Sequence, residues 1–78
     1  MKTMNCEQLG GACKLEFHAE TFEEMAALSH KHGMEMHQKQ DAAHLEAMNK
    51  MRELMKTPEK VEQWQALKRK EFDALPED

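Results

Sequence analysis

The sequence predicts a mainly α protein of the α+β kind, a small N-terminal β-hairpin followed by three helices. Three observations carry this expectation. Among aliphatic β-branched residues there is only Val61, with no Ile and no Tyr, which argues against a sheet-based core. From Thr21 onward the apolar residues recur at spacings of three and four, the period of an amphipathic helix. Before that point, the pair Gly10-Gly11 supplies turn chemistry between two short segments able to extend.

Each element follows from its own residues. Met1–Asn5 is a candidate strand, and in the second segment Leu15 and Phe17 alternate with Lys14, Glu16 and His18. The loop joining them is longer than a tight two-residue turn. Thr21-Phe22-Glu23-Glu24 has the form of a capping box, with a hydroxyl to receive a free amide and Glu24 to reach back. Phe22, Met25, Leu28, His32 and Met36 then share one helical face, and the helix is expected to fade between His37 and Gln40. Asp41 is a candidate N-cap for a second helix over Ala42 to Met55, with Leu45, Met48, Met51 and Met55 as its stripe. Glu46 and Lys50 add an i,i+4 pair of favourable polarity. Thr57 and Pro58 end that helix and begin a third, a cap followed by proline in the first turn. Val61, Trp64, Leu67, Phe72 and Leu75 give it a side to bury, and Pro76 closes it. With 78 residues and no repeat or linker, the expectation is one domain. Residues 1–40 would form the hairpin and first helix and hold the metal site, and 41–78 would be a helical-hairpin extension.

Composition narrows the function. Eleven basic and fifteen acidic residues give a net charge of −4, a balance with poor electrostatic support for gripping nucleic acid or an anionic membrane. No apolar run approaches the roughly 18 residues of a membrane helix, and no signal-peptide core follows Met1. The expected compartment is therefore the cytoplasm. A domain this small buries only about 60% of its unfolded surface and benefits from a staple. In a reducing compartment structural disulfides are rare, so Cys6 and Cys13 in the company of five His point to a metal ion.

The relevant set is Cys6, Cys13, His30, His32 and His37. Written as Cys-x6-Cys-x18-His-x4-His, it offers two thiolates and two imidazoles, a first shell for tetrahedral zinc in a zinc-finger-like hairpin-plus-helix arrangement. Two thiolates neutralise a divalent cation. Two His five positions apart are about 500° around a helix by its 100° step, so this ligand set requires the last turn to loosen, which Gly33 makes cheaper. The alternative is that the Cys are small buried hydrophobes and His32 a satisfied core imidazole, in a metal-free helical interaction module.

The stretch from Cys6 to His37 resembles a family of short bacterial and archaeal proteins described as predicted small metal-binding proteins, a domain of unknown function. The features in common are a Cys, a Gly in the following loop, a second Cys, and an acidic segment, here Glu20-Thr21-Phe22-Glu23-Glu24. A helix ending in two His with four residues between them follows, matched by His32 and His37. The correspondence runs without gaps from Cys13 to His37, selects His32 over His30, and covers about half the chain. The family usually finishes soon after one further helix, whereas this chain continues from Thr57 to Asp78. The resemblance implies Cys6, Cys13, His32 and His37 as metal ligands.

Rival chemistries meet specific obstacles. His30-Lys31-His32-Gly33-Met34-Glu35-Met36-His37 mixes imidazole with thioether, a soft set that suits copper(I). Met34 and Met36, however, stand about 200° apart on a helix. A zinc protease needs His-Glu-x2-His, and here Glu35 comes three after His32 and the second His one position late. A di-iron bundle needs repeated Glu-x2-His, yet His44 follows Asp41 and no second such motif exists. His30, His37 and His44 recur every seven residues, but Asp41 and Gln38-Lys39-Gln40 argue for a break between them. The Met stripe at helical spacing reads as core, and Lys68-Arg69-Lys70, with Glu62, Glu71 and Asp73 around it, as a solvated face. The expectation is a non-enzymatic zinc protein acting through another protein or through self-association.

Overall fold

The computed structural model describes residues 1–77 of the chain. Strands β1 (Lys2–Asn5) and β2 (Glu16–Ala19) pair antiparallel, and helices α1 (Phe22–Gln38), α2 (Ala42–Leu54) and α3 (Pro58–Ala74) follow. The predicted hairpin and three helices are all present.

The strand register places Met4 opposite Phe17 and Lys2 opposite Ala19. Successive side chains of a strand face opposite ways, so Met4, Phe17 and Ala19 turn inward together and are buried. They meet Phe22 and Met25 of the first turns of α1 and Phe72 near the end of α3. Phe22 and Phe72 pack edge to face, ring centroids 6.0 Å apart. Lys2 ties the sheet to α3: its Nζ donates to the carbonyls of Phe72 and Asp73 at 3.1 Å each, a cation at the negative end of the helix, where the Phe72 carbonyl also accepts the Leu75 N–H.

All three helix starts use the caps read from the sequence. Thr21 accepts from the Glu24 N–H at 3.1 Å, Asp41 from the His44 N–H at 3.0 Å, and Thr57 from the Lys60 N–H at 3.3 Å. The end of α1 is a Schellman closure. Asp41 N–H donates to the Met36 carbonyl and Gln40 N–H to that of His37, with Gln40 in the left-handed region at φ 58°. Three residues thus suffice to turn the chain into α2, which packs against α1.

Two expectations change. The helix α1 runs without interruption through Gly33 to Gln38, so its last turn does not loosen. Leu28 and Leu67, assigned by periodicity to buried faces, are 38% and 54% exposed. The core beneath them rests on so few large side chains that each apolar stripe is wider than the surface covering it.

Candidate metal centre

The loop between the strands holds both cysteines. Cys6 directly follows β1, and its N–H donates to the Leu15 carbonyl at 2.9 Å, carrying the ladder one step past the strands. Glu7 N–H donates to the Cys13 carbonyl at 3.0 Å, which draws the second cysteine back beside the first. Between them a 3-10 turn over Glu7–Leu9 is fastened by Asn5 and Gln8, each accepting the other's N–H, at 2.7 and 2.8 Å. Gly10 ends the turn at φ 95°, where a side chain would be strained. Gly11 donates to the Cys6 carbonyl at 2.8 Å, and a Cβ there would overlap the Cys6 sulfur. This loop therefore requires the two glycines to bring its sulfurs inward.

The helices supply the imidazoles. His32, buried on α1, packs edge to face with Phe17 at 5.7 Å and lies against His44 at 5.2 Å between centroids. His44 sits in the first turn of α2 and is 6% exposed. Its Nε2 is 3.6 Å from Cys6 Sγ, while His32 Nε2 is 3.3 Å from Cys13 Sγ. One ligand atom from each of Cys6, Cys13, His32 and His44 can be chosen so that all lie within 4.8 Å of one another. Both cysteines are free thiols.

These separations fit the donor set. In a tetrahedron with Zn–S of about 2.3 Å and Zn–N of about 2.0 Å, a sulfur and a nitrogen stand about 3.5 Å apart. The two sulfur–nitrogen distances fall on either side of that value. These four residues can hold a metal ion, and tetrahedral S2N2 is the geometry associated with zinc or an iron–sulfur centre.

Asp41 orients the site. The oxygen that caps α2 also stands 2.6 Å from His44 Nδ1, so Nδ1 carries the proton and Nε2 turns its lone pair toward Cys6. This carboxylate–histidine pairing is the usual support behind a metal-ligating imidazole. The hydrogen bond to Asp41 raises the His44 pKa, and the same bond holds the Asp41 carboxyl below its ordinary range. The two thiols differ. Burial, above all, pushes Cys6 up. At Cys13 burial acts in the same sense but is outweighed by the Leu15 N–H, then by His44 and Cys6, and its pKa falls. Cys13 is thus the thiol more readily converted to the ligating thiolate.

Three of the four residues expected from the sequence, Cys6, Cys13 and His32, come together; His37 does not. His37 lies exposed near the end of α1, and the fourth position belongs to His44. The reason is rotational. In a regular helix His37 sits about 140° around from His32, and α1 stays regular across both. The cluster accordingly draws on α2 and is not confined to residues 1–40. A signal for His44 was present in Asp41-x2-His44, a capping carboxylate three residues before an imidazole in the same first turn. His30 also stays outside, exposed on α1. Among the described residues no helix is long and apolar enough to cross a membrane. The chain matches no protein-family model, no curated protein and no solved structure.

Proposed function

We propose that this is a small non-enzymatic metal-binding protein in which Cys6, Cys13, His32 and His44 hold one structural zinc ion. The observation that carries the reading is the convergence of two sulfurs and two imidazole nitrogens from three separate parts of the chain. Zinc is favoured by the donor set, since two thiolates balance its charge and four protein ligands complete its tetrahedron. A complete tetrahedron leaves no position for an activated water, which is why the reading is structural and not hydrolytic. Such an ion would join the hairpin loop to α1 and α2. Structural zinc supplies about 10–16 kcal/mol in zinc-finger peptides, which would be decisive in a domain whose core is this small.

The protein then acts by presenting a surface to another protein or to a second copy, in the cytoplasm. Leu54 and Leu67 support this part of the reading, being 61% and 54% exposed beside the half-buried Trp64. Native mass spectrometry of untagged protein, before and after chelation, tests the metal. One zinc per chain, with helicity falling on its removal, is the expected result. A metal-free chain whose helicity ignores the chelator would leave a plain helical module.

A further inference from the structure

The buried cluster leaves out the two histidines and the methionine at positions 30, 34 and 37. These residues are spaced by four and three along α1, which is regular across them. At 100° per residue they fall within an arc of about 60° and form one stripe. All three are exposed, and they line a groove of about 320 Å³ together with Gly33 and Met48 of α2. Met48 lies close over Gly33: its methyl stands 3.7 Å from where a Cβ at Gly33 would be. The lining thus combines two imidazoles and two thioethers, with no carboxylate and no thiolate.

We propose that this groove is a second metal site, selective for the soft monovalent cation copper(I), with Met34 and His37, one turn apart on α1, as ligands and Met48 reaching across from α2. The chemistry selects the ion. Thioethers are soft donors that favour copper(I), and hard divalent ions prefer oxygen ligands. Imidazole alone would also hold borderline divalent ions, so it is the paired thioethers that tip the groove toward copper(I). Met34 and Met36 diverge on the helix, but Met34 needs no help from Met36 because its thioether partner comes from α2. The two sites differ in donors, exposure and place, so each ion has its own seat.

The test uses the full chain loaded with zinc and titrated anaerobically with copper(I) against a chromophoric chelator. Zinc and copper are counted by native mass spectrometry, and methionine methyl groups are followed by NMR. One copper(I) per chain is expected with zinc retained, shifting the Met34 and Met48 methyl resonances and leaving those of Met4 and Met25 in place. His37→Ala and Met34→Leu, both at exposed positions where folding is not at risk, should abolish that copper equivalent without loss of zinc. Copper that expels zinc, copper binding indifferent to both variants, or no copper binding would each overturn the proposal. A chain that never retains zinc would refute the buried-site reading instead. The two variants and the methyl shifts would still decide whether the groove binds copper.

Discussion

Substitution of Asp41 separates its two duties, because one oxygen performs both. It accepts the His44 N–H at 3.0 Å as the cap of α2, and the His44 Nδ1–H at 2.6 Å as the support of the imidazole. Asp41→Ala removes both bonds. Loss of a cap costs about 1 kcal/mol of stability. Loss of the carboxylate behind a ligating His lowers metal affinity by about 10–100-fold, or about 1.4–2.7 kcal/mol. Asp41→Asn can keep both bonds as neutral ones, so it should retain the cap and lose affinity near the tenfold end of that range. Asp41→Ser should cap through its hydroxyl but fall short of the ring, giving metal-free stability close to the parent with affinity close to the alanine variant. Zinc affinity by competition with a chromophoric chelator, beside thermal unfolding of metal-free protein, resolves the two contributions. If Asp41→Ala loses cap stability yet binds zinc as tightly as the parent, Asp41 is only a cap and His44 is no ligand.

Three further outcomes are expected. Gly33→Ala places a Cβ in ordinary contact with Met48 within a regular helix, so it should stabilise by about 1 kcal/mol, raising Tm by about 4–8 °C in thermal unfolding. Gly11→Ala drives a Cβ into the Cys6 sulfur; zinc affinity should fall sharply by chelator competition, and unchanged affinity would mean that Cys6 does not ligate. Arg69 stands 2.8 Å from Glu23, and its hydrogen bond is the main cause holding that carboxyl below the ordinary 4.5. A depressed carboxyl contributes stability above its unfolded pKa and loses it as pH falls through the folded value. An NMR titration of Glu23 should therefore show its midpoint rising toward 4.5 in Arg69→Gln.

What could be read in advance was what local chemistry decides. Thr21, Asp41 and Thr57 announce three helices because each places an oxygen over free amides, and Gly10-Gly11 between two extended segments announces the hairpin loop. Cys6, Cys13 and His32 were legible because a soft donor pair in a small core calls for a metal. The fourth member was hidden by a conflict between spacing and rotation. A neighbouring imidazole on the same helix looks near in sequence, yet a regular turn points it away, and His44 arrives only because Gln40 turns the chain within three residues. A turn closed by a residue other than glycine in the left-handed region leaves little trace in sequence. The exposed stripe positions Leu28 and Leu67 show the same limit: period identifies a helical face, and only its neighbours decide what is covered.

The central claim is that His44, with Cys6, Cys13 and His32, meets one metal ion. Substitution with NMR-active cadmium tests it most directly, because scalar coupling from the metal to protons of its ligands names each ligand. Correlations are expected to the Cys6 and Cys13 β-protons and to the ring protons of His32 and His44, with none to His37. A correlation to His37 in place of His44, or cadmium coupled to no cysteine, would contradict it.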